Sequence, residues 1–173
     1  MIEAGILAES ENVELVEGEL VVMAAKVYAH ELIKSEITLK IARSLPDDIG
    51  MGVGMTIQFT DRTILKPDLA VFRNASLIKS DADFCLVAAG EVLLTIEVAS
   101  SSLTFDRGRK AKLYAQYQVQ EFWVVDANER RTWIHTGPRD DGNWTSVVEH
   151  KREATLTTPA LPGFSIRLAD IRD

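Results

Sequence analysis

Residues 92–126 are the stretch that most restricts what this chain can fold into. The segment from Val92 to Ala99 is β-branched and almost entirely apolar, which favours a strand buried on both faces of a sheet. A serine-rich turn, a charged amphipathic helix and a second apolar strand, Glu121 to Asp126, follow it. The pattern predicts an α/β fold in which a helix connects two buried strands.

One carboxylate interrupts the first of these strands. Glu97 lies just before the strand ends in a run of serines. An ionised carboxylate in an apolar strand is costly unless it is paired or binds a metal ion, and open α/β sheets bind their ligands at strand ends. Glu97 is therefore either a stray polar residue at the rim of the sheet or a functional group.

A second acid lies at the start of another predicted strand. Pro67 has no N–H and suits a strand's first residue or its edge, and Asp68 follows it directly. Pro-Asp is also an ordinary turn pair. On neighbouring strands, Asp68 and Glu97 can share a hard divalent cation such as Mg²⁺. We expect the backbone carbonyl of Val98 to be a third protein ligand.

The helix after Glu97 begins with basic residues, on the unfavourable side of the helix dipole. Behind a predicted N-cap at Asp106, its first turns carry Arg107, Arg109, Lys110 and Lys112. Their position indicates pairing with the acids or contact with a phosphate, and a solvated basic face is the alternative for the two arginines and Lys112. Lys110 and Tyr114 are one turn apart and share a face.

The N-terminal part of the chain predicts a hairpin and a helix. Residues 13–23 read as two short strands hinged at Glu17-Gly18, with Glu14 and Glu19 expected to face solvent. The helix over residues 28–45 has an apolar stripe that includes His30. This placement favours a partly buried, hydrogen-bonded histidine over a catalytic one.

The remaining segments predict connections and more strands. The glycine-rich residues 50–54 lack the Lys-Ser/Thr pair of a P-loop, so we interpret them as a flexible connection into a strand at 55–59. Residues 73–90 read as loop with one helical turn. Strands at 121–126, 131–136 and 144–148 predict a meander, and a short strand is expected at 165–168.

Composition bounds the class of protein. With 173 residues we expect one domain over the whole chain, and the single cysteine rules out an internal disulfide. The net charge of −7 argues against stable, sequence-independent nucleic-acid binding but not against transient action on nucleic acid. Without an apolar run of membrane length or a basic signal segment, we expect a cytoplasmic protein with no membrane partner.

Five motifs, found in this order along residues 13–135, resemble one known family. They are ELVEGELVVM with the following His30, PDLAVF, IEVASSS, DRGRKAKLY and EFWVVD. The terminal LPGFSIRL agrees as well. The chain is thus similar to Uma2-like proteins, also called DUF820, which belong to the PD-(D/E)XK nuclease superfamily and its restriction-endonuclease-like fold.

The resemblance implies roles for individual residues. Asp68 and Glu97 match the two metal-binding acids, with Mg²⁺ or Mn²⁺ as the implied cofactor. Ala99 stands where the superfamily pattern has lysine, and Lys110 on the following helix is the implied catalytic substitute. We expect His30, Arg107 and Tyr114 to contact the substrate, with His30 alternatively bracing the site.

The sequence therefore predicts a mixed, twisted sheet flanked by helices, extended by the N-terminal hairpin and the C-terminal meander. The leading hypothesis for function is a metal-dependent endonuclease hydrolysing DNA phosphodiester bonds. The alternative is a catalytically inactive nuclease fold that binds DNA or a protein partner. A small-molecule hydrolase is less favoured because no substrate pocket is indicated. A homodimer would suit double-strand cutting.

Overall fold

The computed structural model of the protein describes residues 13–23, 27–79, 85–87 and 91–172. Residues 1–12, on which the prediction about a signal segment depends, lie outside this part. The strands are β1 (Val13–Val16), β2 (Glu19–Val22), β3 (Ile49–Val53), β4 (Ile57–Thr60), β5 (Thr63–Leu65), β6 (Leu69–Arg73), β7 (Leu77–Lys79), β8 (Cys85–Val87), β9 (Val92–Ala99), β10 (Glu121–Asp126), β11 (Arg131–Pro138) and β12 (Trp144–His150).

The helical segments are few. They are α1 (Tyr28–Ala42), α2 (Leu103–Phe105), a π-helical turn (Asp106–Lys110), α3 (Ala111–Gln116), and single 3₁₀ turns at Asn74–Ser76 and Leu168–Asp170. The segments between residues 103 and 116 follow one another without a break and form one continuous helix, the helix over residues 103–116.

The central sheet has the strand order β12-β11-β10-β9-β6-β3. β9 and β10 run parallel, and the other neighbouring pairs are antiparallel, so the sheet is mixed. Every residue of β9 and β10 is buried. This confirms the two-sided burial that their apolar sequences predict. The meander from β10 to β12 also forms as expected.

Helices cover both faces of this sheet. The stripe of α1, which includes Ile33, Ile37 and Ile41, packs with Leu94 and Ile96 on one face. On the other face, buried side chains of the helix over residues 103–116 pack against β10. Residues of a second sheet belong to the same apolar cluster. The flanked central sheet predicted from the sequence is confirmed.

The N-terminal hairpin forms as predicted, but it does not extend the central sheet. β1 and β2 belong to a second six-stranded sheet with the order β2-β1-β5-β4-β8-β7. β1 joins this sheet by pairing with β5 in a short antiparallel contact, Leu15 with Ile64. This pairing joins segments far apart in the chain, so no local pattern indicates it.

The glycine-rich segment is strand β3, paired antiparallel with β6, and the expected flexible connection is wrong. Glycine has a steric reason here. A Cβ added at Gly50 would lie 2.4 Å from Asn74 Oδ1 and 2.7 Å from the Phe72 ring. A side chain at position 50 would therefore force Asn74 or Phe72 to shift, which glycine avoids.

Three smaller expectations are also corrected. α1 ends at Ala42 rather than at residue 45. The predicted loop over residues 73–90 contains β7 and β8 besides the turn at Asn74–Ser76. The expected strand at residues 165–168 is reduced to one isolated bridge between Leu156 and Ile166. No helix in the described part of the chain has the length and apolar character needed to cross a membrane.

Candidate active site

Glu97 is the centre of a buried polar cluster on β9. Its Oε1 accepts one hydrogen bond from Lys110 Nζ at 3.0 Å and another from the Tyr114 hydroxyl at 2.8 Å. Both donors lie on the helix over residues 103–116, one turn apart, as the sequence spacing predicts. The carboxylate is therefore held from one side by two donors of the same helix.

Lys110 is only 1% exposed and is surrounded by acids. Besides Glu97, its Nζ lies 3.0 Å from Glu14 Oε2 and donates to Glu14 Oε1 at 3.1 Å. Asp106 Oδ1 is 3.8 Å away. Three carboxylates thus face a single ammonium group in a buried setting, which leaves the cluster with more acidic than basic groups.

Asp68 occupies the start of β6 and is also buried. Its Oδ2 lies 2.9 Å from His30 Nε2 and accepts the backbone N–H of Val98 at 2.9 Å. Because an ionised carboxylate only accepts, the imidazole donates through Nε2. His30 is therefore the buried, hydrogen-bonded residue that the sequence indicates, and it orients the carboxylate of Asp68.

Strand pairing brings the two acids to one end of the sheet. Leu69 pairs with Ile96 across β6 and β9, so the preceding residue, Asp68, comes beside Glu97. The hydrogen bond from Val98 to Asp68 ties the same two segments. In a strand, the N–H and C=O of one residue point to the same side. The Val98 carbonyl therefore points to the same side as its N–H, toward Asp68.

Burial dominates the electrostatics of the cluster. It raises the pKa of Glu97 to about 8, against the lowering effect of the Lys110 charge. Burial works to lower the pKa of Lys110, but the carboxylates of Glu97, Glu14 and Asp106 more than offset this effect, and the pKa is raised. The pKa of Tyr114 is raised well above its usual range, first by burial and then by Glu97, so its hydroxyl remains a donor.

The donor set fits a hard divalent cation. The described residues contain no group of three or more His, Cys, Asp or Glu side chains arranged to hold a metal. Mg²⁺, however, is usually bound by one or two carboxylates, with water and substrate phosphate completing its shell. Asp68 and Glu97 supply two carboxylates, Val98 supplies a carbonyl, and the excess of acids around Lys110 favours an added positive charge.

The structure brings most of the predicted site residues together, with one outside. Asp68, Glu97, Val98 and Lys110 meet at one end of β6 and β9, and Tyr114 and His30 each contact one of the two acids. Arg107 lies apart from this cluster. Its guanidinium carbon is 3.9 Å from the centre of the Trp133 ring, a cation–π contact on the surface.

Two cluster residues were assigned other roles from the sequence. Glu14, expected in solvent, is 2% exposed and contacts Lys110. The alternation of β1 could have indicated that Glu14 is buried, because Glu14 shares a face with the buried Val16. Asp106 is not an N-cap, since the helix starts at Leu103, and its Oδ2 instead accepts a hydrogen bond from Ser102.

Glu19 and Arg109 lie outside the buried cluster and form an ion pair at the surface. Glu19 is exposed, as expected, and its Oε2 is 2.7 Å from Arg109 Nη1. Arg109 also contacts Glu17, with Nη2 3.1 Å from Oε2. The arginine thus joins the helix over residues 103–116 to the hairpin and is not directed at the acids of the site.

A mixed sheet with helices on both faces and two acids at the end of adjacent strands defines a restriction-endonuclease-like fold. The sequence matches the family model of Uma2, described as "Putative restriction endonuclease", over residues 3–169. The chain belongs to the Uma2 family.

A solved structure has the same fold. A crystal structure described as that of a "putative nuclease belonging to DUF820" from Anabaena variabilis ATCC 29413 aligns with a TM-score of 0.76 at 15% identity. The alignment covers 98% of this chain and 94% of that one. NucC of E. coli MS115-1 in its apo form aligns at 17% identity over 57% of this chain and 52% of that one, with a TM-score of 0.34, which is too low to indicate a shared fold. No curated protein matches the chain.

Proposed function

We propose that this protein is an endonuclease that hydrolyses DNA phosphodiester bonds with Mg²⁺ or Mn²⁺ as cofactor. The observation that carries the proposal is the pair Asp68 and Glu97 at one end of β6 and β9, each oriented by its own hydrogen bonds. Membership in a family whose description is "Putative restriction endonuclease" supports the same reaction class.

Asp68, Glu97 and the Val98 carbonyl would hold the cation. When bound, a divalent ion of this kind lowers the pKa of a coordinated water and stabilises charge that develops on phosphate. Carboxylate ligands bind metals in the deprotonated form, so we expect metal binding at this site to weaken as the pH falls.

The surrounding side chains orient the two ligands. Tyr114 and Lys110 fix Glu97, and His30 fixes Asp68, as hydrogen-bond partners of ligating carboxylates commonly do. Lys110 also supplies a fixed positive charge next to Glu97. Positive groups placed where negative charge develops in the transition state accelerate phosphoryl transfer. We assign Lys110 this electrostatic role.

Nicking of supercoiled plasmid with and without Mg²⁺ or Mn²⁺ tests the proposal. We expect cleavage only with metal, and we expect Glu97→Gln to abolish it while the circular dichroism spectrum stays native. Glu121→Gln is the matched control, since Glu121 is buried but pairs with Trp123 and Thr158 instead of the site. Equal nicking by wild type and the Glu97 variant would refute the assignment.

One observation favours an inactive binding module as the second candidate. Position 99 holds alanine, and Lys110, which contacts Glu97, is buried among carboxylates. Metal titration separates the candidates. A ligand that binds only the folded state stabilises it by about 2.7 kcal/mol at a hundredfold excess over Kd. The nuclease should therefore gain thermal stability with millimolar Mn²⁺, and the binding module should not.

A further inference from the structure

The N-terminal hairpin places a carboxylate inside the cluster. Glu14 lies on β1, in the second sheet, yet it is 2% exposed and its oxygens approach Lys110 Nζ at 3.0 and 3.1 Å. The same Oε1 accepts the backbone N–H of Lys66 at 2.7 Å. One side chain of the second sheet thus contacts both the lysine of the site and the segment that leads into Asp68.

We propose that Glu14 is a positioning residue that fixes Lys110 against Glu97, which makes the hairpin a working part of the site. The inference rests on the proposed function for its catalytic consequence. Glu14 does not act on the substrate in this account. Its role is to hold the ammonium group of Lys110 and the backbone at Lys66 in a fixed relation.

Geometry gives Lys110 two anchors from two sheets. A lysine side chain is a flexible four-carbon stem, and a single hydrogen bond to Glu97 would leave its end free to rotate. Glu14 from the second sheet and Glu97 from the central sheet both bind Nζ. With both contacts in place, the charge is held at one point beside the acids.

A purely structural role explains this arrangement poorly. Buried ion pairs are weak evidence for stability, because well-packed apolar residues often serve as well or better. Arg109, the residue before Lys110, already ties the helix to the hairpin through exposed contacts with Glu17 and Glu19. Attachment of the hairpin therefore does not require a carboxylate in the interior.

The π-helical turn supports the same conclusion. The π-helical turn spans Asp106–Lys110, and its last two residues, Arg109 and Lys110, both contact the hairpin. Such turns occur mostly as single insertions in α-helices and frequently at functional sites. In this protein the turn places Lys110 against Glu14 of β1 and Arg109 against Glu17 and Glu19, which follow β1.

Glu14→Gln and Val16→Ala form a matched pair for the test. Both lie on the buried face of β1, so both loosen the hairpin, but only the first removes the charge that holds Lys110. We would measure nicking of supercoiled plasmid with Mn²⁺ over a range of plasmid concentrations. In parallel, the ammonium resonance of Lys110 would be followed by NMR in ¹⁵N-lysine-labelled protein and assigned by its loss in Lys110→Met.

In Glu14→Gln we expect kcat to fall at least tenfold with KM unchanged, together with loss or displacement of the Lys110 resonance. In Val16→Ala, both readouts should stay close to wild type. An undisturbed resonance in Glu14→Gln overturns the inference, as does equal loss in the two variants or a kcat that stays at the wild-type value. If wild type itself does not nick, the proposed function fails, and the resonance alone decides whether Glu14 positions Lys110.

Discussion

Tyr114 makes a contact with Glu97 that can be weighed by removing one atom. Its hydroxyl is fully buried and donates to Glu97 Oε1 at 2.8 Å. Hydrogen bonds to charged groups contribute about 1.5–3 kcal/mol, and in the variant Glu97 Oε1 keeps only the hydrogen bond from Lys110. We therefore expect Tyr114→Phe to lower the free energy of unfolding by about 2 kcal/mol.

Chemical denaturation would measure this loss, with Tyr117→Phe as control. Tyr117 stacks on Phe59 at a ring distance of 4.8 Å, and its hydroxyl has no hydrogen bond within the described residues. The control should be nearly neutral. Equal stability of the two variants would show that the Glu97 contact contributes nothing.

His135 predicts a pH dependence of stability. Burial lowers its pKa below the usual 6.5, and the hydrogen bond from Nδ1 to the Phe122 carbonyl offsets this only in part. As pH falls through 6.5, the unfolded chain binds a proton that the folded chain does not. The contribution of His135 to stability is therefore present above this pH and lost below it, by up to about 1.4 kcal/mol per pH unit.

Urea unfolding at pH 7.5 and 5.5 would measure the effect. Because the raised pKa of Glu97 contributes a pH dependence of the opposite sign, the informative quantity is the difference between variants. From pH 7.5 to 5.5, His135→Phe should lose less stability, or gain more, than the wild type, and His150→Gln should match the wild type. A slope that is the same in His135→Phe and wild type would contradict this explanation.

Among the strands and helices, those with local signals were predicted best. The bounds of β9 and β10 match the sequence prediction because strands buried on both faces are continuous apolar runs. The sequence does not predict β3 because glycine has low strand propensity. The reason for glycine at position 50, the close approach of Phe72 and Asn74, becomes visible only in the structure.

The reason for glycine in β3 yields a matched pair of variants. A Cβ at Gly50 would lie 2.4 Å from Asn74 Oδ1, whereas one at Gly108 in the π-helical turn meets nothing within 4 Å. We expect Gly50→Ala to destabilise the protein by about 1–3 kcal/mol, as overpacking does. Gly108→Ala should stabilise it by about 0.5–1 kcal/mol through the lower entropy of the unfolded chain.

Thermal or urea unfolding of both variants measures the difference. The sign is the informative result, because both substitutions add the same methyl group. A stabilised Gly50 variant would contradict the close approach of β3 to its neighbours.

At the scale of the whole molecule, the sequence does not predict the features that depend on contacts between distant segments. Asp68, Glu97 and Lys110 were found because each conflicts with its local pattern: an acid at a strand start, an acid inside an apolar strand, and a base near a helix start. Glu14 was assigned to solvent, the usual place for an acid. Its burial depends on a lysine 96 positions later, and the location of its hairpin depends on the pairing of β1 with β5.

The central claim is that one divalent cation binds between the two sheet-end acids. Calorimetric titration with Mn²⁺ of wild type, Asp68→Asn, Glu97→Gln and the control Glu121→Gln tests it directly. We expect one ion per chain in wild type and in the control, and loss of binding in each of the two site variants. Undiminished binding in both site variants would contradict it.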